Sequence, residues 1–383
     1  MKPQNLLIVT RRFWPHSGLT EIALSELAVN LAKAGHEITI ATIQWSRHWS
    51  ECVHYQGIPV IRFARPVSGP WSSFRYSRSL ARHFTTTSYD GVIVAGMDDE
   101  AAAVMKTVDE TTPALIYVDD GHLGTPIDLT RKQIDILKSA DAVVAANPRV
   151  ADALSGIRTE FVETIFPGIG QAERKTDDRS QIRAGLAKAH QILSLEANQR
   201  LVVCCTRMDR RSRISELIAA WPSVLRHFPN ARLWLIGEGK ITGCLWQQIV
   251  DLDLVYSILL PGFFDQLADV FGAANLYVHA GGPHQCGEAL VRAMACGTPA
   301  MAIANQHTSK LITNRHNGIL SESSDFDSIA TAIIEALHND NWTASAATLA
   351  KNQLANQYLP ERQVAGYVDL IKSLSDQLVE AAL

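Results

Sequence analysis

The stretch from Tyr277 to Ala304, YVHAGGPHQCGEALVRAMACGTPAMAIA, decides the fold of this chain. The short apolar run at residues 276–278 predicts a buried strand, and a glycine-rich turn separates it from a helix that opens at Gly287. Gly297 suits the left-handed stop after that helix, and residues 300–304 predict a second buried strand. A loop that runs from a strand tip to a helix N-terminus is a natural site for an anion or a nucleotide.

Composition limits the class of protein. The 383 residues are 47% apolar and 19% charged, which is typical of a soluble globular chain of about two or three domains. The net charge of −4 gives no electrostatic case for nucleic-acid binding. No apolar run reaches the roughly 18 residues of a membrane helix, and the start is too short for a signal peptide. We therefore expect a cytoplasmic protein.

The N-terminal part alternates strands and helices. Residues 6–10 predict a strand, 21–33 a helix and 38–42 a second strand, which together make a βαβ unit and imply a parallel sheet. Further strands are predicted at residues 60–63, 92–95, 115–118 and 142–145. This rhythm predicts a doubly wound, Rossmann-like domain over residues 1–170.

A second domain follows a polar connection. Residues 171–200 show no sustained strand pattern, and the strand–helix alternation restarts at Leu201. We expect a second doubly wound domain over residues 171–359, with a central cleft between the two domains in which ligands bind. Residues 360–383 predict a helix with an apolar face that needs a partner, and we expect it to pack on the N-terminal domain.

Basic residues cluster after the first strand of the second domain. Arg207, Arg210, Arg211 and Arg213 fall within seven residues, so they are able to clamp a diphosphate by bidentate contacts. A solvated loop is an equal alternative. The next strand is ended by a G-x-G motif formed by Gly237 and Gly239. A lone G-x-G is a weak signal for nucleotide binding.

The helix after the glycine-rich turn carries two charged candidates. Glu288 and Arg292 are four residues apart and share a face, so one interpretation is a surface ion pair of about 0.2–0.5 kcal/mol. The alternative is functional: Glu288 accepts sugar hydroxyls, and Arg292 reaches a phosphate. His284 in the turn is either a donor to a ligand or a surface loop histidine.

Carboxylates and a histidine follow a strand of the first domain. Asp119, Asp120 and His122 stand where side chains face a cleft, and either aspartate is a candidate base or electrostatic partner. A loop that caps a helix start is at least an equal alternative. The spacing of the three residues matches no strong metal pattern, so no metal site is predicted.

An aromatic and basic segment occupies residues 71–84, WSSFRYSRSLARHF. It is suited to hold an anionic acceptor or to touch a membrane surface as a peripheral contact. More often such a segment is an ordinary surface helix with one packed side.

The order of motifs resembles the nucleotide-sugar glycosyltransferases of family 4, which have the GT-B fold. The resemblance covers nearly the whole chain and rests on five segments: residues 8–42, SADAVVAANPRVADAL at 139–154, FPNARLWLIGEG at 228–239, RAMACGTPAMA at 292–302 and NGILSES at 317–323. It implies an N-terminal acceptor domain, a C-terminal domain for the nucleotide sugar, retention of anomeric configuration, and no bound metal or cofactor.

Several residues of the family pattern are kept, and others are replaced. The kept ones are Gly18, Glu21, Arg207, Gly237, Gly239 and Gly287. The replaced ones are Leu19 for a glycine, Asp119 for a histidine, Ser212 for a lysine, and His284, Arg292 and Lys310 for glutamates. Arginine has no hydrogen-bond acceptor, so Arg292 is unable to take the ribose-binding role of the family glutamate.

Three functions are compatible with the sequence. The first is transfer of a sugar from a nucleotide sugar to an unknown glycan, lipid or protein acceptor, at or near the inner face of a membrane. The second is a non-catalytic relative that binds a ligand or partner and supports an active transferase. The third and weakest is a sugar-nucleotide epimerase, which shares the two-domain arrangement.

Overall fold

The structure is a computed structural model of the chain. This structure describes residues 2–16, 18–64, 71–119, 122–123, 129–157, 162–169, 178–264, 266–281 and 287–382. The chain separates into one unit of residues 1–168 with 358–383 and another of residues 169–357. The sequence pattern predicts these two junctions at residues 170 and 359.

The sheet of the first unit is covered by apolar layers on both faces. Leu6 and Ile8 lie in one buried cluster, and Leu7 and Val9 lie in the other. Successive side chains of a strand point to opposite faces, so an uninterrupted apolar run requires cover on both sides. The described strands are β1 (Asn5–Val9), β2 (Glu37–Gln44), β3 (Cys52–Tyr55), β4 (Ile58–Ala64), β5 (Gly91–Ala95), β6 (Ala114–Val118), β7 (Ala142–Ala145) and β8 (Val162–Thr164).

The order of these strands is β3-β4-β2-β1-β5-β6-β7-β8. All pairs are parallel except β3 with β4, which is antiparallel. The predicted doubly wound parallel sheet is therefore confirmed for this unit. The sequence pattern does not predict β3 and β8, because β3 is a half-exposed edge strand without an apolar run and β8 is only three residues long.

Helices cover both faces of this sheet. They are α1 (Leu19–Lys33), α2 (Trp71–Thr86), α3 (Asp99–Thr107), α4 (Arg131–Ser139), α5 (Pro148–Ser155) and the last helix of the chain, α14 (Pro360–Ala382). Gly35 has φ +93° and ends the turn after α1 in the left-handed region, as its sequence position predicts.

The last helix packs into the first unit. Val364, Tyr367 and Ile371 of α14 lie in the same buried cluster as Leu6 and Ile8 of β1. The approach is close, because a Cβ atom on glycine 91 of β5 would lie 2.9 Å from Cγ2 of Ile371. The apolar face of α14 thus completes the core of a unit that begins some 350 residues earlier in the chain.

The second unit repeats the architecture with its own sheet. Its strand order is β11-β10-β9-β12-β13-β14, and every pair is parallel. Two separate parallel sheets are what the restart of the strand–helix pattern predicts, and they are confirmed. The described strands are β9 (Arg200–Cys205), β10 (Ala231–Ile236), β11 (Ile258–Gly262), β12 (Leu276–His279), β13 (Ala300–Ile303) and β14 (Ile319–Ser321).

The helices of the second unit begin earlier than expected. They are α6 (Arg179–Ala189), α7 (Ile214–His227), α8 (Thr242–Asp251), α9 (Leu267–Ala273), α10 (Glu288–Ala295), α11 (Thr308–Leu311), α12 (Phe326–His338) and α13 (Asp340–Leu354). The assignment of residues 171–200 to a connection is wrong for residues 179–189. Residues 179–189 form α6, which packs closely on α9: a Cβ atom on Gly272 of α9 would lie 2.7 Å from Cδ1 of Ile182.

The aromatic and basic segment 71–84 lies within α2. Tyr76 and Leu80 are buried in the core of the first unit, whereas Arg78 and Arg82 are not among its buried residues. The described side chains therefore fit a surface helix with one packed side. Across the described residues, no helix is long and apolar enough to cross a membrane.

Candidate functional site

The strand order of the second unit marks a candidate ligand site. The chain winds from β9 outward through β10 and β11, then returns to the other side of β9 with β12. Ligands of open α/β sheets bind outside the carboxyl ends of the strands at such a reversal. Residues 206–213 after β9, and the described residues 280, 281 and 287 after β12, therefore border the site. Residues 282–286, with the candidate His284, lie outside the described residues.

Two glycines hold neighbouring loops together at this edge. Gly237 has φ +126°, and a Cβ there would lie 2.2 Å from the carbonyl oxygen of Thr206. A Cβ on Gly239 would lie 2.0 Å from the carbonyl oxygen of Met208, whose N–H donates to the carbonyl of Glu238 at 3.1 Å. Only glycine permits this backbone approach, so both residues shape the loop after β9.

The arginines of that loop have different surroundings. The side chains of Arg207, Arg210 and Arg211 are exposed and make no hydrogen bond or ion pair with the described part of the chain. Arg213 is engaged: its Nη1 lies 2.9 Å from Oε1 of Glu216. Its backbone N–H donates to the carbonyl of residue 280 at 2.8 Å and joins the loops after β9 and β12. Three guanidinium groups are therefore free for an anion.

Gly287 forms the start of α10 for two reasons. Its φ of +69° lies in the left-handed region, and a Cβ there would lie 2.9 Å from Cε1 of His279 at the end of β12. Its carbonyl accepts the N–H of Val291 at 3.0 Å, the first bond of the helix. Glycine has no side chain to cap the N–H groups of the first turn, so these groups and the positive helix end are suited to an anion.

Glu288 and Arg292 form an ion pair, but not on the surface. Nε and Nη2 of Arg292 lie 3.1 and 3.0 Å from Oε1 of Glu288. Arg292 is 0% exposed, so the interpretation as an ordinary surface pair is wrong. A buried guanidinium requires a partner, and Glu288 supplies a carboxylate that also suits the first turn of a helix.

Two replaced positions have no contact that suggests a ligand role. Ser212 is buried, and its hydroxyl donates to the carbonyl of Asp209 at 2.7 Å. It closes a turn in which the Asp209 carboxylate also accepts the N–H of Arg211 at 2.8 Å. Lys310 is exposed on α11, so its charge faces solvent.

A second cluster lies at the carboxyl edge of the sheet in the first unit. Asp119, buried at the end of β6, accepts the hydroxyl of Thr20 at 2.6 Å, and its Oδ1 lies 2.9 Å from Nδ1 of His122. Gly96 leaves room for the imidazole, because a Cβ there would lie 2.8 Å from Cδ2 of His122. The candidate Asp120 lies outside the described residues.

Glu21 and Gly18 belong to the same edge. A Cβ on Gly18 would lie 2.2 Å from Oε2 of Glu21, so glycine lets this carboxylate fold back over the start of α1. Burial raises the pKa of Glu21, and the nearby Asp119 raises it further, against the opposing effect of Arg12. A contact of Gly18 with a donor stays a prediction.

The charge state of His122 follows from its carboxylate neighbours. Burial by itself lowers the pKa of His122, but Asp119, with smaller effects from Asp98 and Glu21, outweighs it, so the net pKa lies above the usual 6.5. The carboxylates therefore favour the protonated imidazole, whose Nδ1 lies 2.9 Å from Oδ1 of Asp119.

Much of the second unit is similar in sequence to a known family. Residues 187–353 match the family model described as Glycosyl transferases group 1. This match covers less than half of the chain. The matched segment contains the donor-side candidates from Arg207 to Arg292, whereas Gly18 and the cluster around Asp119 precede it.

Two relatives illustrate the range of similarity. The chain is 23% identical over 224 residues to the alpha-monoglucosyldiacylglycerol synthase of Streptococcus pneumoniae, a match that covers 58% of this chain and only half of that protein. It is 21% identical over 387 residues to the GDP-mannose-dependent alpha-(1-6)-phosphatidylinositol monomannoside mannosyltransferase of Mycobacterium tuberculosis, covering 96% of this chain and 98% of the relative.

Solved structures establish the fold. Sucrose-phosphate synthase from Thermosynechococcus elongatus superposes with a TM-score of 0.77 at 17% identity, covering 97% of this chain and 99% of that one. HepE from Anabaena, in complex with UDP and glucose, has a TM-score of 0.76 at 19% identity, covering 97% and 100%. The predicted GT-B fold of two Rossmann-like domains is confirmed.

Two side chains of these sites are absent from the sequence-based candidates. His279 closes β12 and packs against Gly287, and Thr20 bonds Asp119 from the first turn of α1. A polar residue at the carboxyl end of an apolar strand is a usable signal for His279. No local pattern connects Thr20 with a residue 99 positions later.

Proposed function

We propose that the protein transfers a sugar from a nucleotide sugar to an acceptor, with retention of anomeric configuration. The observation that carries the proposal is the switch point of the second unit. There an arginine-bearing loop and the Gly287 start of α10 leave neighbouring strands of the segment that matches the group 1 glycosyltransferases. The relatives support a nucleotide-linked donor, since one is a GDP-mannose-dependent mannosyltransferase and one solved neighbour is in complex with UDP.

The donor diphosphate is assigned to the loop after β9 and the start of α10. Arg207 and Arg211 are exposed and free of partners among the described residues, so their guanidinium groups are available for bidentate phosphate contacts. The positive end of α10 adds favourable electrostatics for the departing diphosphate, whose charge grows as the sugar leaves. The sugar nucleotide is a substrate, and the proposal includes no metal ion or other cofactor.

The cluster in the first unit is assigned to orientation and proton handling. Asp119 accepts a hydrogen bond from Thr20 and is paired with His122, so its carboxylate is already engaged by the protein. We assign Asp119 to orienting His122 and holding it in the charged form, and His122 to donating a hydrogen bond to substrate. A peripheral membrane contact through residues 71–84 and a cytoplasmic location remain proposals.

The second candidate function is a non-catalytic relative. The observation that supports it is the Glu288–Arg292 pair. By resemblance, Arg292 occupies the position of a family carboxylate, and its guanidinium also occupies Oε1 of Glu288 one turn earlier. A ribose hydroxyl normally needs such an acceptor, so the pair weakens the grip on a nucleoside.

A nucleotide-binding series distinguishes these functions. UDP, GDP, ADP and their glucose or mannose conjugates are titrated calorimetrically into the wild-type chain and the Arg207→Ala and Arg211→Ala variants. Nucleotide-sugar binding that both variants weaken, followed by release of nucleoside diphosphate with an acceptor, supports the transferase. Binding without any release of diphosphate or hydrolysis favours the non-catalytic relative. Absence of binding by every one of these ligands overturns the donor-site proposal.

A further inference from the structure

Three indole side chains gather at one edge of the first unit. Trp14 follows β1, and Trp45 and Trp49 follow β2, so all three lie at the carboxyl edge of the parallel sheet. The imidazole of His16 connects two of them, with ring centroids 6.0 Å from Trp45 and 5.2 Å from Trp49. Trp14 and Trp45 are 40% and 37% exposed. We call Trp14, Trp45, Trp49 and His16 the tryptophan surface.

Arginines are packed against these rings. The guanidinium of Arg12 lies 5.5 Å from the ring centroid of Trp45, and that of Arg62 lies 5.2 Å from Trp49 and 6.0 Å from Trp14. Arg62 is 5% exposed and donates to the carbonyls of Trp14 and residue 50, so it holds the rings from below. Arg12 is exposed, and stacking on an indole leaves the edge N–H groups of its guanidinium free to bind an anion.

Two of the nearby cations have no carboxylate of a described residue within ion-pair distance. The side chains of Arg12 and Arg47 are exposed and form no ion pair or hydrogen bond with the residues the structure describes. Arg11, in contrast, is paired with Asp98 at 3.2 Å. The tryptophan surface therefore offers flat apolar area with exposed positive charge beside it, which is complementary to an anionic ligand.

The indoles are held in place rather than free to insert into a bilayer. Nε1 of Trp45 donates to the carbonyl of Arg11 at 3.0 Å, and most of the surface of both Trp14 and Trp45 is covered. Membrane insertion requires an apolar face that can enter by about 5–10 Å. A pinned, partly covered indole instead presents a rigid face, which suits stacking against the apolar C–H face of a sugar ring.

We propose that the tryptophan surface, with Arg12 and Arg47, binds an anionic saccharide as the acceptor. A pyranose ring stacks on the exposed indoles, and its carboxylate or phosphate group is held by the two exposed arginines. The assignment rests on the proposed transferase function and names its acceptor class.

The position of this surface supports an acceptor rather than an unrelated ligand. Arg11, whose carbonyl accepts Nε1 of Trp45, pairs with Asp98 at 3.2 Å. Asp98 lies two residues after Gly96, where a Cβ would lie 2.8 Å from the imidazole of His122. The tryptophan surface and the cluster around His122 are therefore neighbours on one edge of the same unit. An acceptor bound there lies beside the residues assigned to proton handling.

The test measures saccharide binding by the full chain without nucleotide. The probes are a hyaluronan hexasaccharide, which carries carboxylates, a phosphorylated pentamannose, neutral maltohexaose, and vesicles of phosphatidylglycerol with phosphatidylcholine. The variants are Trp45→Ala and Arg12→Gln, and we expect Arg12→Gln to keep the fold because the side chain is exposed and makes no ion pair or hydrogen bond with the described residues. Trp246→Ala is the matched control, since Trp246 is 49% exposed on α8 of the other unit.

We expect at least one anionic saccharide to bind, and each variant to weaken that binding about tenfold or more, as loss of a charge-assisted or stacking contact does. Carboxylate and phosphate probes distinguish the two anion types. Maltohexaose should bind more weakly, and Trp246→Ala should change nothing. Vesicle binding that the variants abolish, without saccharide binding, would overturn the proposal in favour of a membrane contact. Equal binding by wild type and both variants would also overturn it. The donor-site proposal is tested separately by nucleotide binding. Failure of the acceptor proposal can therefore be told apart from failure of the donor-site proposal.

Discussion

Arg292 is buried on α10 and holds Oε1 of Glu288, one turn earlier, with Nε at 3.1 Å and Nη2 at 3.0 Å. This contact gives Arg292 a structural role in addition to the loss of a family carboxylate at its position. By resemblance to the family, the position has lost a carboxylate, which the exchange Arg292→Glu would restore. In the structure that exchange would set two carboxylates side by side in a buried place, where like charges repel.

The first prediction concerns this pair. Glu288→Gln removes the carboxylate that contacts the buried guanidinium of Arg292, so we expect the free energy of unfolding to fall by about 3–5 kcal/mol. Arg292→Met should cost less in the Glu288→Gln background than in the wild-type chain. Denaturant unfolding of the two single variants and the double variant measures this coupling.

Glu216→Gln supplies the control, because the Arg213–Glu216 pair is half-exposed in the same unit. Its loss should cost only about 0–1 kcal/mol. Equal losses for Glu288→Gln and Glu216→Gln would contradict the assignment of the buried pair as a structural requirement.

The second prediction separates two arginines of one loop. Arg207 is exposed without a described partner, and Arg213 is paired with Glu216. If the loop holds a diphosphate, Arg207→Ala should weaken nucleoside-diphosphate binding by about 10- to 100-fold, since a charge-assisted hydrogen bond contributes about 1.5–3 kcal/mol. Arg213→Ala should have a smaller effect. Calorimetric titration with UDP and GDP decides, and a larger loss for Arg213→Ala would refute this division of roles.

Much of the fold could be predicted because the informative signals are local. A buried parallel strand is an apolar run, and a helix stop is a glycine such as Gly35 or Gly297, both of which have positive φ. The edge strand β3 was not predicted because its side chains are half exposed. The helix α6 was not predicted because its polar sequence buries little more than Leu186.

The candidate sites were less predictable, because their contacts join residues far apart in sequence. Spacing alone placed Glu288 and Arg292 on one face of a helix, but it did not reveal that Arg292 is buried. Likewise Gly237 and Gly239 matched a nucleotide signal, whereas the structure shows them against the backbone of Thr206 and Met208. Burial and loop-to-loop contacts depend on tertiary packing, which no periodicity reports.

The third prediction tests those loop contacts. Gly237→Ala places a Cβ 2.2 Å from the Thr206 carbonyl at a φ of +126°, so both a clash and backbone strain follow. We expect a loss of at least about 1–3 kcal/mol. Gly243→Ala, in α8 with open space around its Cβ, should be neutral or stabilising by up to about 1 kcal/mol. Thermal unfolding compares them; similar melting temperatures would count against the close approach.

The fourth prediction concerns pH. Because its carboxylate neighbours raise the pKa of His122 above 6.5, the protonated imidazole stabilises the folded state. That contribution is complete below the unfolded pKa and is lost as pH rises through the higher folded pKa. Asp119→Asn should lower the pKa of His122. Imidazole NMR titration from about pH 5 to about pH 9 follows this shift; an unchanged midpoint would show that Asp119 does not hold the charge.

The last prediction concerns the C-terminal helix. Ile371 of α14 is fully buried, and it lies so close to β5 that a Cβ on glycine 91 would be 2.9 Å from its Cγ2 atom. Ile371→Ala should therefore lower the free energy of unfolding by about 2–5 kcal/mol, through lost burial and the cavity left behind. Asp369→Ala, two residues earlier on the exposed side of the helix, should change it by no more than about 0.5 kcal/mol. Deletion of residues 360–383 removes Val364 and Tyr367 as well, so it should cost more than Ile371→Ala. Calorimetric melting curves of the three variants give the order directly. If truncation left the melting temperature unchanged, or if Ile371→Ala matched Asp369→Ala, the helix could not be part of the first unit's core.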